Sequence, residues 1–268
     1  VCKKLKGLGI TEYLLLFGGG LLAGIMNTLA GNGSAITLSL LIFLGLPPNV
    51  ANATNRIGAM VQTITAVLSV RKTPRTKFMF KETQWFFIPS LIGSTLGAFL
   101  AVKIDPGVLE FMIGIIMLLL LATLLNKPKK WLKATNLGSK SKTLLNWFLI
   151  FLIGLYGGFL QMGIGIMILS VLVLLMQYSL KDGNIIKLLL AMVFLIPAFF
   201  VFLGSGEMQW KPGVALACGQ AIGAVIGARY ILFLPKANTY VRWLLIVILS
   251  ISSIVMLQLH TLLFNLFQ

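Results

Sequence analysis

The sequence predicts an all-α polytopic membrane protein of two repeated halves, each a glycine-broken helical hairpin followed by three transmembrane helices. Three observations predict it. Of 268 residues, 58% are hydrophobic and only 10% charged, where a soluble globular domain carries about 25% charged residues. The few charges leave long gaps along the chain. The order of elements is the same on both sides of a short basic connector. A mean hydropathy of +0.99 agrees, and the composition largely excludes a soluble enzyme.

The charge that remains is lopsided: 22 Lys and Arg face six acids, a formal net charge of +16. In a soluble protein that surplus would point to nucleic acid. On this background it reads as the topogenic charge of a membrane protein. The two cysteines, Cys2 and Cys218, fit neither a disulfide framework nor a Cys-x-x-Cys pattern.

Charge gaps place the elements in order. A membrane-spanning helix takes about 20 mainly apolar residues. Residues 55–71, 84–103, 107–126, 184–203, 212–233 and 239–259 each fit one span. No charge occurs between Glu12 and Arg56, or between Lys142 and Lys181. The apolar segments inside those gaps, 11–46 and 144–180, are too long for one helix, and glycines interrupt each near its middle. The basic start VCKKLKGLGI is read as a flank of the first segment and not as a signal peptide, because no clear small-residue cleavage site follows.

Residues 127–143 form a polar basic connector between an N-terminal transmembrane repeat, 1–126, and a C-terminal one, 144–268. Gly31-Asn32-Gly33 recurs as Gly163-Ile164-Gly165, and the same offset sets Asn55 against Lys187. Gly93, Gly97 and Ala98 recur as Gly223, Gly227 and Ala228, a small-residue spacing that lets helices approach closely. Duplication with broken helices in matching places marks secondary transporters. If each broken segment is a hairpin, the halves are inverted; if each crosses once, they are parallel. Charge counting alone leaves both open. The inverted arrangement is favoured, because a single helix of roughly 35 residues would be ~52 Å long, beyond a bilayer.

Backbone freed by a broken helix must be buried in protein or line a wet cavity. The first break holds Asn27, Thr28, Gly31, Asn32, Gly33 and Ser34. Its glycines permit a turn, and the helix start after it offers free N–H groups to an anion. The second break carries Gln161, Gly163 and Gly165. Behind each hairpin a cation opens the next span: Arg56 after Asn52, Thr54 and Asn55, and Lys187 after Asn184. Snorkelling to the headgroups is the alternative reading for both. These fourteen residues form the candidate substrate site: Asn27, Thr28, Gly31, Asn32, Gly33, Ser34, Asn52, Thr54, Asn55, Arg56, Gln161, Gly163, Gly165 and Lys187.

With the glycine-rich first break, the run Gly45-Leu46-Pro47-Pro48, the alanine-rich lead to Thr54-Asn55, and the reduced second copy ending in Lys187, the chain resembles the TauE/SafE sulfite exporter family. The resemblance covers residues 11–260. It implies export of sulfite, sulfoacetate, thiosulfate or related organosulfonates across the plasma membrane by a multi-pass protein. Asn32, where such proteins often have a further glycine, and the bulky Ile164 depart from the pattern.

No P-loop pattern occurs, and no H-E-x-x-H or G-x-S-x-G, so neither an ATP-driven pump nor a membrane hydrolase is expected. His260 stands alone in an apolar tail. Glu12, Glu110 and Glu207 lie near span ends, which leaves no visible buried carboxylate relay for protons. No metal or other cofactor is expected. The expected partners are a small anion and membrane lipids, not nucleic acid, and a homodimer stays open. An anion channel, or a carrier for a non-sulfur organic anion, is the alternative. The basic loop 72–83 and the connector are expected to fix topology and touch anionic headgroups, with Trp85, Trp131, Trp147, Trp210 and Trp243 as interfacial anchors.

Overall fold

A computed structural model describes residues 8–71, 74–125, 143–229 and 237–256. The connector up to Lys142, Cys2, the N-terminal lysines, Lys72, Trp131, Lys236 and His260 lie outside these residues. Every regular element among them is helical: α1 (Ile10–Ala30), α2 (Gly33–Phe43), α3 (Pro48–Val70), α4 (Pro74–Thr83), α5 (Phe87–Lys103) and α6 (Pro106–Leu125), then α7 (Leu144–Phe159), α8 (Ile164–Leu169, widening into a π-helical turn over Ser170–Leu175), α9 (Leu180–Ser205), α10 (Trp210–Arg229) and α11 (Ala237–Met256).

Local chemistry sets the ends. Thr143 caps α7 by accepting from the Asn146 amide at 3.2 Å, and Ser179 caps α9 by accepting from Asp182 at 3.1 Å. Asp105 receives the amides of Gly107 and Val108 at the start of α6. A helix covers the described part of each of the six single segments. One begins earlier than expected: α3 starts at Pro48 rather than residue 55, because proline suits the first helical position, where its missing N–H is no loss. The Asn/Thr stretch therefore lies inside a helix, and Arg56 sits in its third turn. The expected loop 72–83 is also corrected. From Pro74 it is helix α4, whose Thr76, Met79 and Thr83 are buried.

Both long apolar segments break into two helices, and the first folds as a hairpin. α2 returns along α1: a Cβ on Gly33 would lie 2.2 Å from the Ala23 carbonyl oxygen, while the Leu40 side chain rests on Gly19. With 11 residues, α2 rises ~16 Å, about half of a hydrocarbon core. Among the described residues, Ile10–Thr28, Pro74–Lys103 and Lys181–Ser205 are each long and apolar enough to cross a membrane. Large apolar side chains such as Phe99, Phe111, Leu119, Phe148 and Phe200 stand exposed around the bundle, as a lipid-facing surface requires. Polar side chains collect inside, where Asn52, Thr54, Asn55 and Arg56 of α3 are all buried.

The halves pack by exchanging partners. α1 of the first half runs parallel to α10 of the second: Gly20 faces Leu216, and Gly24 faces Gln220. α7 of the second half runs parallel to α5 of the first in the same way, with Gly93 at Phe151 and Gly97 at Leu155. The approach is close enough that a Cβ on Gly97 would fall 1.9 Å from the Leu155 carbonyl oxygen. Dispersion and packing must hold helices together in lipid, which offers no hydrophobic drive between them. The repeated glycines of 93–98 and 223–228 are those contact positions.

Candidate functional site

The two hairpin tips meet. A Cβ added to Gly31 would lie 2.7 Å from the Gly165 Cα, and one on Gly165 would lie 2.6 Å from the Gly31 Cα. At the first tip Gly31 takes a left-handed conformation, φ 76°, that ends α1, and its amide donates to the Asn27 carbonyl at 3.0 Å. At the second, Gly163 (φ 72°) and Gln161 (φ 65°) both adopt positive φ. For glutamine this is an uncommon, strained conformation.

Asn32 precedes α2 in the capping position, yet its side chain makes no capping bond. It is fully buried, and neither its Nδ2 nor its Oδ1 has a hydrogen-bond partner. Buried amides without partners are rare, since each forfeits its hydration. Ser34 and Gly33 are buried beside it. One turn on, the Thr37 hydroxyl donates to Asn55 Oδ1 at 2.6 Å, which leaves the buried Asn55 Nδ2 as a free donor. Thr28 is committed elsewhere, its hydroxyl donating to the Gly24 carbonyl at 2.9 Å. Asn27 is half-buried along the same helix.

Arg56 is fully buried at the end of α7. There Leu160 and Gln161 both send their amides to Tyr156, so the following carbonyls lack helical partners. Arg56 supplies them: Nη1 donates to Gly157 O at 2.8 Å and to Gln161 Oε1 at 3.1 Å. Nη2 donates to Gly158 O at 2.8 Å, to Phe159 O at 3.2 Å and to Asn52 Oδ1 at 3.4 Å. Asn52 Nδ2 adds a bond to Phe159 O at 2.8 Å. A cation at a helix C-terminus is also favoured by the backbone dipole. The guanidinium packs over the Phe202 ring at 4.9 Å, and its Nε has no partner. Thr54 is used further out, accepting from the Gln209 amide at 3.0 Å.

Lys187 is buried on α9, where its ammonium donates to Asn184 Oδ1 at 3.0 Å and has no carboxylate partner among the described residues. It does not reach an exposed position. The structure thus gathers the first tip with Asn55, and the second tip with Asn52 and Arg56, and brings the tips into contact. Lys187 stands on the equivalent helix of the second half. Three participants escaped the sequence reading as site members: Thr37, Asn184 and Phe202. Asn184 was legible, because the offset of 132 that pairs Asn55 with Lys187 also pairs Asn52 with Asn184. Gln220, buried with Oε1 unpartnered and set against Gly58, is the polar residue of an otherwise small-residue stretch of α10.

Comparison with known proteins gives consistent results. Residues 16–256 match the family model described as "Sulfite exporter TauE/SafE". A "probable membrane transporter protein" of Haemophilus influenzae is 26% identical, over 90% of this chain and 92% of its own length. A "probable membrane transporter protein ORF9" of Sinorhizobium sp. is 26% identical, over 87% of each chain. The "probable membrane transporter protein YfcA" of Escherichia coli K12 is 25% identical, over 89% and 87%. No solved structure matches. A multi-pass helical chain with a match across nearly its full length is a membrane transport protein rather than an enzyme, and it belongs to the sulfite exporter TauE/SafE family.

Proposed function

We propose that this transporter is a secondary carrier that exports small sulfur-containing oxyanions, such as sulfite, thiosulfate or sulfoacetate, across the plasma membrane. The substrate binds at the N-terminus of α2, where the hairpin tips meet. One observation carries this reading: Asn32, fully buried at that helix start, has both polar side-chain atoms unpartnered. The N-terminal amides of a helix and its positive dipole end attract an oxyanion, and the free Asn55 Nδ2 adds a donor from α3. Arg56 acts mainly through the second hairpin, holding its broken end in place, while its positive charge favours an anion nearby. Lys187 contributes charge from α9.

The halves, 1–126 and 144–268, joined by 127–143, are inverted repeats in this reading. The antiparallel return of α2 along α1 supports it, since three further spans after a hairpin bring each half out on the opposite side. Contact between Gly31 and Gly165 closes the route between the tips, which favours a carrier over a continuously open channel. An apolar cleft between α1, α2 and α11 is lined by none of the fourteen site residues.

Flux in proteoliposomes loaded separately with sulfite, thiosulfate, sulfoacetate, sulfate and a small carboxylate tests the substrate class. Selective movement of the first three supports it. Movement of the carboxylate alone would transfer the site to non-sulfur organic anions, and large unitary currents under voltage clamp would make it a channel.

A further inference from the structure

Helix α4 has an outward face that the transport site does not use. Opposite its buried Thr76 and Met79, Lys77 and Lys81 are exposed one turn apart. Phe78 and Phe80 flank them, 55% and 44% exposed, and Trp85 follows at 51%. Phe80 also packs edge-on against Phe87 at 5.6 Å, in the first turn of α5. On its other flank Arg75 donates from Nε to Asp182 Oδ1 at 2.7 Å and from Nη2 to Oδ2 at 2.5 Å. This is a two-pronged pair of the kind that fixes orientation as well as distance. Asp182 is buried in the first turn of α9, the helix that carries Lys187.

We propose that α4 lies in the membrane–water interface and binds an anionic lipid headgroup layer through Lys77, Lys81 and the flanking aromatic rings, and that the Arg75–Asp182 pair passes this attachment to α9. The surface chemistry selects the partner. Lysines alone would accept any polyanion, but a nucleic acid or acidic peptide would leave Phe78 and Trp85 in water. An anionic bilayer offers negative charge beside an apolar layer, and aromatic rings favour that boundary. α4 also runs through the short turn Gln84–Phe86 directly into α5, an apolar span, which holds it at headgroup level.

Each lysine near an anionic leaflet contributes about fivefold in binding, so two give roughly 25-fold. Hydrogen exchange of the whole protein in nanodiscs tests this without any flux measurement. One set of discs contains phosphatidylcholine alone; the other adds about 30% phosphatidylglycerol. Exchange over residues 76–85 in the wild type is expected to slow roughly tenfold or more in the anionic discs, and residues 180–188 slow with it. K77Q/K81Q, which changes only exposed side chains, loses both effects, whereas Arg75→Gln keeps the slowing in α4 and loses it in α9. Equal exchange of α4 in both discs, or a K77Q/K81Q variant that behaves as wild type, would overturn lipid docking. An α9 that does not respond in the wild type, or responds equally in Arg75→Gln, would overturn the transmission.

Discussion

Arg56 on α3 donates to the carbonyl oxygens of Gly157 and Gly158 at 2.8 Å each, so a cation of the first half completes the broken helix end of the second. The relationship is structural before it is catalytic in any sense. Replacing Arg56 with Ala strands at least two buried carbonyls, and hydrogen bonds to charged groups are worth about 1.5–3 kcal/mol each. Arg56→Ala is expected to lower stability by roughly 3 kcal/mol, and Arg56→Lys by less, since a lysine keeps the charge but loses the planar fork. Thermal unfolding in detergent measures both. Unchanged midpoints would show that the α7 end is held by other groups.

Asn32 should behave in the opposite way. Its two buried atoms have no partner, so removing them costs the fold little. Asn32→Ala is expected to leave unfolding unchanged or raise it slightly, while weakening anion binding about tenfold, the worth of roughly one good hydrogen bond. Ligand-dependent shifts of the melting midpoint with thiosulfate or sulfite separate the two effects. A destabilised variant with unaltered anion response would make Asn32 a packing residue.

The tip contact leaves no space for a side chain. Gly165→Ala places its Cβ 2.6 Å from the Gly31 Cα, and overpacking of this kind costs about 1–3 kcal/mol. The tips are expected to separate, with flux reduced and cysteine accessibility near the tips increased. Wild-type flux and stability in Gly165→Ala would mean that the tips part freely during transport.

Lys187 offers a further contrast. Lys187 is a buried cation without a carboxylate partner among the described residues, and taking such a charge out of water is costly, so a well-packed apolar side chain in its place removes that cost. Lys187→Met is therefore expected to keep or improve thermal stability and to reduce anion flux. A large loss of stability with intact flux would assign the ammonium and its bond to Asn184 a purely structural part.

Much of this architecture could be read from the chain because bilayers are unforgiving of charge. The gap from Glu12 to Arg56, broken at Gly31 and Gly33, marked a hairpin, and α1 and α2 form one. Helix α3 began earlier than its charge gap because Pro48 initiates helices well. The basic run at 72–83 suggested a loop, since α4 buries only Thr76, Met79 and Thr83 and so carries no apolar periodicity that marks a helix. The partners of Arg56 were not legible. They are backbone carbonyls about a hundred residues away, and no side-chain pattern announces them. For the same reason Arg56 looked like a free anion ligand, whereas its terminal nitrogens are already engaged. Asn32 was legible as a polar residue at a break, but its lack of partners required the packing around it.

The most direct measurement is initial-rate efflux of thiosulfate and sulfite from proteoliposomes, wild type beside Asn32→Ala, across a range of internal concentrations. Saturable efflux in the wild type is expected, with the half-saturating concentration raised about tenfold in the folded variant. Wild-type protein that neither binds nor moves these anions, or an Asn32→Ala variant with an unchanged saturation curve, would contradict an oxyanion site at the start of α2.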